Sequence, residues 1–114
     1  MGDRSRIIVT SKDFIEPIHL YGHWSGTDNV LAVVDVLSRT DRIGDPAYLT
    51  AQLFYEFSTR ANYDGNLSFG ISVGENRFFA DDNEAIIISA DDGNVVYREV
   101  VYTKQEFLDT VFDR

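Results

Sequence analysis

His19, Tyr21 and His23 recur at alternate positions, and the chain's one tryptophan, Trp24, follows at once. In an extended segment alternate residues share a face, so the two imidazoles could approach one metal ion or one anionic ligand. A metal would need further ligands, and no His-Glu-x-x-His run or spaced carboxylate set supplies them. Ligand contact therefore outranks metal binding, and an ordinary satisfied histidine outranks both. Trp24 stands beside Ser25 and Gly26, where a strand hands over to a helix. The first N–H groups of that helix could receive a phosphate, Trp24 could stack on a base, and Arg42 or Arg39 could offset the charge. The ligand site expected on this reasoning comprises Tyr21, His23, Trp24, Ser25 and Arg42. The competing reading of a lone tryptophan is a core anchor.

A second constellation is acidic. Glu75, Asp81, Asp82, Glu84, Asp91 and Asp92 face Arg77 alone in the segment 75–92. The order lacks the Asp-x-Asp-x-Asp-Gly loop closed by a glutamate, which excludes an EF-hand. Its functional reading is mimicry of nucleic-acid phosphates, with Glu75, Asp81, Asp82 and Glu84 meeting a basic groove on a protein; its bland reading is a solvated loop. Gly70-Ile71-Ser72-Val73-Gly74 has the spacing of a nucleophile elbow but falls where a strand is expected, without the parallel sheet that an elbow requires. A hydrolase acting through His23 and a carboxylate is the least supported chemistry. No cofactor signature occurs, and none is expected.

These residues depend on the elements around them. Arg6 to Thr10 is β-branched and suits a strand; after Pro17 a second runs from Ile18 to about Trp24, with Ile18, Leu20, Gly22 and Trp24 on one face and His19, Tyr21 and His23 on the other. Ser25-Gly26-Thr27-Asp28 is turn and N-cap chemistry, and Val30, Val33, Val34 and Leu37 then recur at helical spacing, which predicts a helix over 28–40. Asp45-Pro46 opens a second helix to about Ala61. Its broad apolar surface, with Tyr48, Leu49, Leu53, Phe54 and Phe57, predicts a helix wedged between layers. Asp64-Gly65 is a connection signal, and Leu67, Phe69, Ile71 and Val73 alternate as a half-buried strand. Phe78 and Phe79, in the acidic loop, either tuck beneath the fold or face a partner. Ala85–Ser89 and Val95–Tyr102 read as a hairpin around Asp91-Asp92-Gly93-Asn94. Thr103-Lys104-Gln105-Glu106 is a capping box before Phe107, Leu108, Val111 and Phe112. The expected fold is one α+β domain over residues 1–114, a mainly antiparallel sheet with about three helices in the order ββααβββα.

Composition bounds the rest. Of the 114 residues, 44% are apolar and 13% aromatic, enough for one core. The absence of cysteine excludes disulfides, thiolate metal sites and a cysteine nucleophile. The apolar stretch Ile7 to Val9 is far too short for a signal h-region or a membrane span, so a cytosolic protein is expected. The net charge is −9, of which residues 61–114 carry −7. Such a field repels phosphate backbones, so duplex nucleic acid is not an expected partner, whereas a basic protein would be steered in; simple solubility is the bland reading.

Several stretches resemble a family. They are Met1-Gly2-Asp3-Arg4, Ile18-His19-Leu20-Tyr21-Gly22-His23-Trp24-Ser25-Gly26, Arg42 ahead of Asp45-Pro46-Ala47-Tyr48-Leu49, and Phe69-Gly70-Ile71-Ser72. Together they resemble a group of small proteins of tailed bacteriophages, over most of the first 75 residues. Members often carry a tryptophan where this chain has Ile43, so a site using a second indole is not implied. The resemblance implies a phage protein in the bacterial host's cytoplasm that antagonises immunity without catalysis, by sequestering a nucleotide-derived signal. The alternative it implies is an acidic inhibitor of a host defence protein complex. A homo-oligomer interface is the expected place for a ligand, because a domain this small has little room for a deep cavity.

Overall fold

Ser5–Thr10 forms strand β1. Ser5, Ile7 and Val9 are buried while Arg6, Ile8 and Thr10 are half-buried, the alternation of a strand with one face on the core. The computed structural model describes residues 3–60, 68–74 and 82–112. Strand β2 (Ile18–Gly22) runs antiparallel to β1, with Ile7 opposite Leu20 and Ser5 opposite Gly22. Strand β3 (Phe69–Val73) pairs antiparallel with β2 on its far side. On its other side β1 pairs in parallel with β4 (Ile86–Ser89), which leads to β5 (Val95–Tyr97) and β6 (Val100–Tyr102), both antiparallel. The sheet order is β3-β2-β1-β4-β5-β6.

Among the described residues three helices, α1 (Asp28–Arg39), α2 (Pro46–Arg60) and α3 (Lys104–Phe112), complete the fold. It is the mainly antiparallel α+β arrangement expected, in the expected order, with Val95–Tyr102 folded back on itself as β5 and β6. In α1 the β-branched residues cost a few tenths of a kcal/mol each in helix propensity. Fully burying Val33, Val36 and Leu37 contributes roughly 1.5–3 kcal/mol apiece, so burial decides the outcome. Helix α2 lies beside α1 and is not wedged between layers: Leu49, Leu53 and Phe57 are buried, but Tyr48 and Tyr55 are exposed. Phe57 meets Phe69 of β3 edge to face at 5.0 Å. Arg39 and Arg60 link Asp35 on α1 to Glu56 on α2, the shortest contact being Arg39–Glu56 at 2.7 Å.

One buried polar side chain joins the helix layer to the sheet. Asn29, in the first turn of α1, is fully buried. Its Nδ2 donates to the carbonyl oxygens of Arg6 at 3.0 Å and Glu84 at 2.9 Å, while its Oδ1 accepts the Val30 N–H. The amide therefore ties together the beginnings of β1 and β4, the one parallel pair among the described strands.

Local turn chemistry follows the sequence closely. Gly93, at φ +80°, closes the β4–β5 hairpin, and the side chain of Asp92 accepts the Asn94 N–H. Thr103 and Glu106 exchange reciprocal side-chain to backbone bonds at the start of α3, the capping box expected. Thr27 caps α1 by position but makes no side-chain cap bond. The Asp64-Gly65 connection, Leu67, Phe78 and Phe79 lie outside the described residues.

Removing the Asn29 amide takes one donor from each of two main-chain carbonyls. Asn29→Ala is expected to lower unfolding free energy by about 1–3 kcal/mol, read from urea denaturation; an unchanged midpoint would show that the clamp contributes nothing. The Asp91 carboxyl is held below the usual carboxylate range, chiefly by the Lys12 backbone N–H and also by the Ser11 hydroxyl, each at 2.9 Å. A depressed value stabilises the fold above the ordinary carboxylate value of about 3.9, and that contribution is lost as pH falls through the folded-state value. Asp91→Asn should therefore destabilise the protein near neutral pH and differ little from wild type at about pH 2–3, in denaturation curves run at both.

Candidate functional site

Strand β2 ends at Gly22, so the His19/Tyr21/His23 alternation does not continue to its third member. His19 is only 6% exposed and its Nδ1 lies 3.1 Å from the Arg6 guanidinium. A guanidinium can only donate, so Nδ1 accepts and the lone pair that a metal would use is occupied. Tyr21 lies across Gly70 of β3: a Cβ on Gly70 would collide with the Tyr21 ring and hydroxyl. His23 has turned out of the strand and stands edge-on to Trp24 at 4.7 Å. Among the described residues no group of three His, Asp or Glu side chains could hold a metal.

Trp24 is 48% exposed and belongs to no core cluster, so the platform reading fits it better than the anchor reading. Its main chain bridges to Asp3, whose carbonyl accepts from the N–H groups of Ser25 and Gly26. Ser25 itself is 2% exposed; its hydroxyl shares a 2.5 Å hydrogen bond with Ser5 and also reaches the Gly22 carbonyl. Ser25 thus closes the end of the sheet and is not available to a ligand. Arg42 follows the C-terminus of α1, whereas Trp24 precedes its N-terminus. Twelve helical residues separate them, about 18 Å along the axis. Arg42 faces Asp41 and Asp45 and lies 4.7 Å from the Tyr48 ring centroid. The five expected residues therefore do not form one site: His23 and Trp24 stand together, Tyr21 lies on the sheet, Ser25 is internal and Arg42 is at the opposite end.

The acidic set also separates. Asp82 accepts the Arg4 backbone N–H at 2.8 Å, which gives it a structural task at the entry to β1. Glu84 is exposed, and its main-chain carbonyl serves the Asn29 clamp. Glu75 and Asp81 lie outside the described residues. The Gly-x-Ser-x-Gly match falls on β3 and the glycine after it, in an antiparallel strand pairing, so the nucleophile-elbow match carries no elbow.

A different cleft gathers aromatic side chains and an arginine. It lies between the N-terminal part of α1, helix α3 and the β5–β6 hairpin, has a volume of about 250 Å³, and is lined by Tyr97, Tyr102, Phe107, Arg98, Thr27 and Thr110 together with Val30 and Leu31. Tyr102 and Phe107 meet edge to face at 5.6 Å. The Arg98 guanidinium lies 5.3 Å from the Tyr97 ring centroid and, among the described residues, is the only charged side chain lining the cleft. Arg98 and Glu99 form the turn with φ of +51° and +66°. Two consecutive residues in the left-handed region match the type I′ turns of tight hairpins, which usually carry Asn-Gly. For side-chain-bearing residues this costs of the order of 1 kcal/mol each.

The sequence contained a signal for this hairpin: Val95-Val96-Tyr97 and Val100-Val101-Tyr102 are identical triplets flanking Arg98-Glu99. The absence of glycine or asparagine between them made the segment read as one strand. Comparison of the chain with family models, curated proteins and solved structures gives no match.

Because Trp24 is half-exposed, Trp24→Ala should leave the unfolding free energy within about 1 kcal/mol of wild type. Wild-type fluorescence should show the red-shifted emission of a hydrated indole. Loss of several kcal/mol would restore the core-anchor reading.

Proposed function

We propose that this chain is a non-catalytic binding protein for a small aromatic anion of the nucleotide-derived class, held in the cleft between α1, α3 and the β5–β6 hairpin. The observation that carries this reading is the pairing of three aromatic rings with a single arginine, on a turn whose backbone is strained. An aromatic wall accepts a base by stacking without demanding its identity, and a guanidinium supplies charge-assisted bonds to phosphate. In a chain of net charge −9, an anion needs such a local cation to approach. The volume is at the small end for ligand pockets, so it suits one base-sized ring with its phosphates toward the rim and Arg98. Among the described residues no histidine or carboxylate lines the cleft, which favours capture over hydrolysis.

The resemblance to tailed-phage proteins gives the capture a biological direction: removal of a nucleotide-derived signal in the cytoplasm of a bacterial host, as an antagonist of its immunity. Non-glycine residues at two left-handed positions fit this reading, because backbone strain of this kind concentrates at ligand clamps and active sites.

The test is calorimetric titration with AMP, ADP-ribose and a cyclic dinucleotide, with mass analysis of the recovered ligand. Wild type should bind at least one of these and return it intact; Arg98→Glu and Tyr97→Ala should each weaken binding about tenfold or more. The double variant Arg98→Asn/Glu99→Gly should gain about 1 kcal/mol of stability by relaxing the turn while losing affinity. Failure of the whole panel to bind, or full affinity in Arg98→Glu, would overturn the proposal.

A further inference from the structure

The sheet has a second face. Register places Ile8 of β1 opposite Ile87 of β4, Ile87 opposite Val96 of β5, and Val96 opposite Val101 of β6. These four side chains form one unbroken row across four strands, on the side away from the core residues Ile7, Ile86, Ile88 and Val95. Ile8, Ile87 and Val96 are half-buried and Val101 is 69% exposed. No described helix covers the row. A sheet solvated on one side alternates apolar and polar residues, whereas strands covered on both sides read as continuous apolar runs. Ile7-Ile8-Val9, Ile86-Ile87-Ile88, Val95-Val96 and Val100-Val101 are runs of the second kind.

We propose that this face is covered by the same face of a second copy of the chain, in a two-fold, sheet-on-sheet dimer. Charge favours that occupant. Although the chain holds 19 acidic residues, no acidic side chain occurs among the described strand residues projecting from this face; Arg6, which bonds His19, is its only formal charge. Two such faces meet without carboxylates from the described strand residues opposing one another. Area sets the strength. Four strands about 4.8 Å apart and, with six, four, three and three residues, about 13 Å long on average present roughly 250 Å² in projection. With side-chain relief, a face-to-face pair buries about 500–1,000 Å² in total, at or below the lower limit for a specific interface. The dimer is consequently weak, and the negative charge elsewhere on each copy opposes it.

The test is sedimentation velocity of the full chain over a range from low-micromolar to near-millimolar concentration, in low and in high salt. A monomer–dimer equilibrium is expected that tightens as salt rises, because screening removes repulsion between two −9 particles. Val101→Asp should weaken dimerisation about tenfold or more; since Val101 is already exposed, its thermal melt should match wild type. Ala47→Asp, exposed on α2, provides a second charged variant that should leave the equilibrium intact. A monomer at every concentration, a dimer indifferent to Val101→Asp, or a dimer loosened by salt would each overturn the proposal. The ligand titrations are independent of this outcome, because the cleft lies on the helix side of the sheet.

Discussion

The parallel seam between β1 and β4 is the constraint on which the rest of the structure depends. About 75 residues of chain separate these two strands in sequence, yet they lie side by side at the centre of the sheet. A parallel pair cannot be closed by a tight turn, so its register must be set by something other than the connection. Asn29 supplies part of that determinant. By donating to one carbonyl at the start of each strand, its amide aligns the two strands and places the first turn of α1 directly above them. Ile7, Val9, Ile86 and Ile88, all fully buried, then present their side chains to the helices as one surface.

With the seam in place, the remaining elements are positioned by chain geometry. Helix α1 starts over the strand beginnings and points toward their ends, where the Gly44 N–H donates to the Ala90 carbonyl. This orientation determines which functional residues can meet. It keeps Trp24 and Arg42 apart by the length of the helix, and it brings the start of α1 to the same end of the sheet as the β5–β6 turn. The cleft lined by Tyr97, Arg98, Tyr102 and Phe107 is a consequence of that meeting. The two-layer design has a second consequence, since the described helices lie on one side of the sheet and leave the Ile8–Ile87–Val96–Val101 row outside the helix layer.

Local features of the fold were legible from residue types and spacing. The limits of α1 and α2, the Gly93 hairpin and the Thr103–Glu106 capping box follow from interactions within a few residues, and each occurs where the pattern places it. The His19–Tyr21–His23 alternation was read correctly as strand up to Gly22, but the chain leaves the strand there because Ser25 turns inward to bond Ser5. The β5–β6 turn was missed because Arg98 and Glu99 adopt a backbone conformation that their side chains disfavour. Of the cleft, only its helix N-terminus was anticipated.

The sequence by itself determined what depends on short range: the helices, most strand positions, the capping and turn residues, the acidity, and an apolar content sufficient for one core. Tertiary structure alone decided which distant residues share a surface. A side chain's spacing along the chain reports its face on its own element, but not which end of which neighbour that face will meet. That depends on long-range pairing such as the β1–β4 seam, and on buried contacts such as the Asn29 amide, whose partners lie 23 and 55 residues away.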